Sequence, residues 1–126
     1  MKQRVVSLSD FGPAENMSLI EADIPTPGNG QIVVKNNAIG LNYLDTYFRS
    51  GLYPWPNNND IKIPGSEGVG YIHAVGSDVL DFKEGDRVSY VTPVGAYAEY
   101  AIINAAHAAK ILSLIHISEP TRPMNI

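Results

Sequence analysis

Six stretches of the chain alternate apolar with polar residues, or run apolar with β-branched side chains, between turn signals: Arg4–Leu8, Met17–Ile24, Gln31–Ile39, Glu67–Val75, Arg87–Thr92 and Tyr97–Ile103. A period of two turns every second side chain to one face, so each stretch predicts a strand. The separators carry turn chemistry. Gly12-Pro13, Pro25-Thr26-Pro27-Gly28-Asn29-Gly30, Gly76-Ser77-Asp78 and Lys83-Glu84-Gly85-Asp86 combine glycines free to take positive φ, prolines of fixed φ, and Asp or Asn side chains that bond nearby backbone. Short strands at this spacing predict a mainly β domain, built as a barrel or a sandwich.

One segment departs from that period. Asn42–Ser50 places Tyr43, Leu44, Tyr47 and Phe48 on one arc of a 3.6-residue repeat and Asn42, Asp45, Thr46 and Arg49 on the other, which predicts one short amphipathic helix. Asn42 is suited to cap its start, and Asp45 brings a carboxylate to the positive end of the helix dipole. Asp45 and Arg49 are spaced as an i,i+4 ion pair, and Gly51 supplies the stop. The following Leu52–Ile63 holds Pro54, Pro56 and three consecutive Asn, which predicts an exposed loop.

Composition narrows what such a domain can do. At 126 residues and 44% hydrophobic content the chain fits one folded domain with a single core. Apolar runs fall far short of the roughly 20 residues of a spanning helix. The start MKQRVVSLSD lacks a signal peptide's apolar stretch, so a cytoplasmic protein without a membrane partner is expected. Nine Lys and Arg, scattered in a chain of net charge −4, argue against nucleic acid, which needs a clustered positive surface. With no Cys there are no disulfides, thiolate nucleophiles or Cys-based zinc sites.

At the helix the residues meet a family. Ala38 to Pro54 (AIGLNYLDTYFRSGLYP) resembles the signature of the zinc-independent quinone oxidoreductases of the medium-chain dehydrogenase/reductase superfamily. The resemblance continues in order through Ile63-Pro64-Gly65-Ser66-Glu67-Gly68-Val69-Gly70, Val75-Gly76, Gly85-Asp86-Arg87-Val88 and Gly95-Ala96-Tyr97-Ala98-Glu99-Tyr100, covering residues 1–111. It implies a GroES-like irregular β-barrel as an N-terminal catalytic domain, with a Rossmann domain beyond it binding most of the NADPH. No G-x-G-x-x-G dinucleotide turn is present. The run Gly65–Gly70 has the wrong spacing and lies in a strand-like stretch, so its glycines are expected at a bulge or a close packing contact.

Zinc-dependent members of the superfamily carry a Cys just before this helix and a His in a Gly-His-Glu triplet. Here those positions are Asn42 and Ser66, so the resemblance implies a reductase without zinc. Such an enzyme would stabilise the reduced quinone with hydrogen-bond donors and leave hydride chemistry to the cofactor. Carried over by position, the resemblance puts Asn42 near the nicotinamide end of NADPH, Tyr47 at the cofactor and Tyr53 in the quinone pocket. Asn42 and Tyr53 are thus the candidate catalytic groups. Asn42 is equally readable as a plain helix cap, and Tyr47 and Tyr53 as core aromatics with bonded hydroxyls. His73 and His107, without a second ligand at metal spacing, read as structural. Trp55 is given no role.

Beyond Ile111 the resemblance ends. Leu112 to Arg122 (LSLIHISEPTR) resembles the conceptual translation of a transposase adapter used in sequencing libraries, and Pro123–Ile126 would be junction sequence. The expectation is therefore a catalytic-domain fragment, 1–111, with an artefactual tail, 112–126, in which His116 carries no function. Such a fragment is expected to be inactive alone, its parent a homodimer. Two alternatives stay open: a zinc-free enoyl or alkenal reductase on the same scaffold, and a non-catalytic GroES-like interaction module.

Overall fold

The computed structural model describes residues 2–57 and 61–111. The domain end expected at 111 and the adapter-like tail after it depend on 112–126, which lie outside the described residues. The elements in chain order are β1 (Lys2–Leu8), β2 (Met17–Asp23), β3 (Gln31–Ile39), α1 (Tyr43–Ser50), β4 (Glu67–Val75), β5 (Arg87–Val91), β6 (Tyr100–Asn104) and β7 (Ala108–Lys110). All six expected strands and the single helix are present.

Two departures from the expected elements have physical reasons. The last expected strand begins at Tyr100 rather than Tyr97, because the Ala96 and Tyr97 N–H groups bond the Gly65 and Pro64 carbonyls at 3.1 and 2.9 Å. β7 was not expected: its three residues, Ala-Ala-Lys, lack β-branched side chains, and its pairing with β5 supplies what propensity does not.

β1 and β2 form an antiparallel pair with Val5 opposite Ile20. The other strands form one sheet in the order β6-β3-β4-β5-β7, with every neighbouring pair antiparallel. β3 is flanked on both sides, and Ile32, Val33 and Val34 have no exposed surface. The core joins Ile32 and Val34 of β3, Ile72 of β4, Val88 and Tyr90 of β5, Ala101 and Ile103 of β6, and Ala96. Full burial of each large aliphatic stabilises by about 1.5–3 kcal/mol.

Single bridges, Val5 with Ala98 and Leu8 with Lys62, tie β1 to the segments before β6 and β4. The result is the mainly β, irregular barrel expected from the pattern. β3 carries two register shifts, between Val33 and Val34 and between Asn36 and Ala38. At the second, the Asn36 carboxamide donates to the Ala98 and Ala96 carbonyls at 2.8 and 3.2 Å, pinning that segment to the barrel. The Gly65–Gly70 run serves close packing, as expected. A Cβ on Gly70 would run into the Lys35 carbonyl, and one on Gly68 would lie 2.5 Å from the Tyr90 hydroxyl.

Candidate active site

α1 follows β3 and precedes β4 in the chain; of the expected site residues Asn42 caps its start, Tyr47 lies in its last turn and Tyr53 follows its end. At the start, Asn42 is extended, and its N–H donates to Asp45 Oδ2 at 3.1 Å, so the carboxylate reaches back to the cap. At the end, Gly51 takes φ +85°, a left-handed conformation open to glycine, and its N–H bonds the Phe48 carbonyl at 3.2 Å. The Tyr47 carbonyl receives the Leu52 and Tyr53 N–H groups at 3.0 and 3.3 Å, which folds Tyr53 back beside Tyr47.

The helix sits differently from its amphipathic pattern. Its buried residues are Asp45 and Phe48, while Tyr43 is 86% exposed, and Leu44 and Tyr47 also reach solvent. Of the four residues on the apolar arc Phe48 alone is buried, and from the polar arc a carboxylate is buried with it. The expected Asp45–Arg49 ion pair is not formed. Asp45 Oδ2 accepts the Tyr97 phenol at 2.6 Å, whereas Arg49 Nε donates to the Gly12 carbonyl at 3.1 Å. Each group meets a fixed partner across the fold, which a flexible helix-face pair worth a few tenths of a kcal/mol cannot outweigh. Burial first, then the adjoining Asp45 carboxylate, push the Tyr97 hydroxyl well above its ordinary ionisation range.

Tyr47 and Tyr53 come together with ring centroids 5.4 Å apart and tilted. Phe48 meets the Tyr53 ring edge-on at 5.7 Å and the Trp55 ring at 6.1 Å, and Trp55 leans on Phe11 at 6.3 Å. Trp55 is therefore a half-buried brace under the cluster. Neither the Tyr47 nor the Tyr53 hydroxyl bonds another described residue. Both tyrosines are thus exposed aromatics whose hydroxyls have no partner among the described residues, rather than core residues.

Asn42 stands with a different pair. Its Nδ2 donates to Glu67 Oε2 at 2.6 Å and lies 3.5 Å from Ser66 Oγ. The two positions that the resemblance equates with zinc ligands, 42 and 66, thus meet in space. Among the described residues no three of His, Cys, Asp and Glu converge. His73 packs on the Tyr100 ring at 4.8 Å, and His107 is exposed beyond a turn capped by Asn104. Glu67 and the Asp45–Tyr97 contact were not picked out in the sequence. Glu67 had a signal, its place beside Ser66 in the Gly65-Ser66-Glu67 triplet.

Concavities of about 470, 370 and 450 Å³ lie elsewhere on the barrel. The first runs along Val6, Leu19, Ile39 and Leu41, and the last borders Gly40, Glu67 and Tyr90. None of the three is lined by Asn42, Tyr47 or Tyr53; Tyr47 and Tyr53 meet each other, and Asn42 meets Glu67 and Ser66.

Residues 28–113 match the alcohol dehydrogenase GroES-like domain, and the chain belongs to that family. Several of its relatives are quinone oxidoreductases, and an alcohol dehydrogenase of Moraxella is 47% identical over 81 residues, covering 64% of this chain and 23% of that protein. It is 47% identical over 103 residues to the quinone oxidoreductase of Pseudomonas aeruginosa, a match covering 79% of this chain and 27% of that protein. It is 44% identical over 112 residues to a "Probable quinone oxidoreductase" of Schizosaccharomyces pombe, covering 88% of this chain and 33% of the other. Among solved structures it resembles the Escherichia coli quinone oxidoreductase complexed with NADPH, with TM-score 0.76 and 35% identity over 89% of this chain and 34% of that one. The chain spans about a third of the length of the curated relatives it matches.

Proposed function

We propose that this chain is the substrate-side portion of an NADPH-dependent quinone reductase that works without zinc. The observation that carries the reading is the exposed pair of Tyr47, on the helix, and Tyr53, just past its end, whose hydroxyls bond no other described residue, with the helix cap Asn42 restrained by Glu67. Tyr53 offers an O–H donor to a quinone oxygen as negative charge develops there. Tyr47 would contact the cofactor, and the Asn42 carboxamide would border its nicotinamide end. When bound, NADPH supplies the hydride.

The donor set argues for zinc-free chemistry. An amide, a hydroxyl and one carboxylate at Asn42, Ser66 and Glu67 do not supply the imidazole and thiolate ligands of catalytic zinc centres. We place the whole enzyme in the cytoplasm as a homodimer, with no nucleic-acid or membrane partner. Among the described residues no helix is long and apolar enough to cross a membrane.

The test is a steady-state comparison, on the whole enzyme proposed here, with NADPH and either a quinone or an enone. Higher kcat/KM on the quinone is expected, and preference for the enone would overturn the substrate assignment. This chain alone is expected to show no saturable NADPH oxidation. Saturable oxidation would show that it holds enough of the cofactor site by itself.

A further inference from the structure

Asp45 is the one buried acid among the described residues, 5% exposed, and its Oδ1 has no hydrogen-bond partner. A buried carboxylate oxygen left without a donor is costly, and a helix position used only for packing would be better filled by an apolar side chain. The other oxygen accounts for the residue. Oδ2 accepts both the Tyr97 phenol at 2.6 Å and the Asn42 N–H at 3.1 Å.

Tyr97 is itself anchored. Its N–H bonds the Pro64 carbonyl at 2.9 Å, its carbonyl accepts the Val6 N–H at 2.9 Å, and the neighbouring Ala96 N–H bonds the Gly65 carbonyl at 3.1 Å. Pro64 and Gly65 lead directly into Ser66 and Glu67, the two side chains beside the Asn42 carboxamide. The contacts close into a ring: Asn42 backbone to Asp45, Asp45 to Tyr97, Tyr97 to the Pro64–Glu67 segment, and Glu67 back to Asn42 Nδ2. Asn42 is held from its backbone and from its side chain by parts of one framework.

We propose that Asp45, clamped by the Tyr97 phenol, is a positioning residue that holds the Asn42 carboxamide against Glu67 in a single orientation. An ionised Glu67 only accepts hydrogen bonds, so it selects the amino end of that carboxamide. A contact made by an amide reverses its meaning on a flip, since donor and acceptor exchange places. An ionised Asp45 likewise only accepts, and so serves both of its donors at once. Asparagine there would offer an NH2 group to one of them. The proposal rests on the reading of Asn42 as a contact at the nicotinamide end of NADPH.

The test uses the full 126-residue chain without NADPH or quinone, so that its outcome is independent of the functional reading. The Asn42 side-chain NH2 resonances, assigned by their loss in Asn42→Ser, are followed in Tyr97→Phe and Asp45→Asn. Solvent exchange of this NH2 pair is expected to speed up by about tenfold in both variants, while backbone amides of Val33, Val34 and Ile103 keep their protection. Unchanged exchange at Asn42 would overturn the proposal. So would an equal loss of protection at Asn42 and in the core, which would make Asp45 an element of general stability. Inactivity of the whole enzyme on quinones would sink the functional reading and leave this result standing.

Discussion

Tyr90 donates its phenol hydrogen to the Asn36 carboxamide oxygen at 2.7 Å, joining β5 to the second register shift of β3. The amino end of the same side chain holds the Ala96 and Ala98 carbonyls. One asparagine therefore fixes the segment that delivers Tyr97 to Asp45. Tyr90→Phe keeps the buried ring and leaves Asn36 Oδ1 without its donor. The expected loss is about 1–3 kcal/mol of folding stability. Urea unfolding checks it: the midpoint falls and the slope stays that of the parent chain.

Burial pushes the Tyr90 hydroxyl up from its ordinary value near 10 to about 12, against the smaller opposing effect of the Asn36 hydrogen bond. The charged form of tyrosine is the deprotonated one. An unfolded Tyr90 thus releases its proton first, and the folded state holds it longer. Stability from this group is complete below about pH 10 and declines as pH rises through about pH 12. Tyr97 is shifted in the same direction, so it adds to the decline. Urea midpoints measured from about pH 9 to about pH 11.5 are expected to fall for the parent chain and to fall less steeply for Tyr90→Phe.

Gly70 of β4 pairs with Asn36 of β3. A Cβ there would occupy the space of the Lys35 carbonyl oxygen, a backbone atom that moves only if the strands separate. Gly70→Ala is expected to destabilise by about 1–3 kcal/mol, as overpacking in cores does. Gly30, where an added Cβ meets nothing but whose φ is +72°, provides a control for purely conformational strain. Thermal unfolding of the two alanine variants separates collision from backbone cost.

What the sequence made legible follows the range of the interactions involved. The strands were readable because alternation and turn residues are local, and Asn42 and Gly51 bounded the helix by chemistry within a few residues. The burial of Asp45 was not readable: helical periodicity assigns it to the polar arc, and the phenol that draws it inward lies 52 residues later. The outward turn of Tyr43 and Leu44 was hidden for the related reason that periodicity identifies an apolar arc without saying what covers it. β7 was missed because its pairing with β5, not its composition, makes it a strand. The meeting of positions 42 and 66 was implied by family resemblance alone, and the 2.6 Å contact from Asn42 to Glu67 required the fold.

Tyr53 tests the reactive face most directly. Its hydroxyl bonds no other described residue, and the ring is 43% exposed against Tyr47 and Phe48. Tyr53→Phe keeps those ring contacts, so the fold is expected to lose less than about 0.5 kcal/mol. In the whole enzyme proposed above, the same change would remove the donor assigned to the developing negative charge on the quinone. A fall of about 10- to 100-fold in kcat/KM for the quinone is expected, smaller than for a dedicated oxyanion donor because water reaches this open face. KM for NADPH should stay as it was, since the group is assigned to the quinone and not the cofactor. Tyr47→Phe should reverse the pattern, raising KM for NADPH with less effect on the quinone. If Tyr53→Phe leaves quinone kcat/KM intact, its hydroxyl takes no part in reduction, and the residue serves only to pack the aromatic cluster.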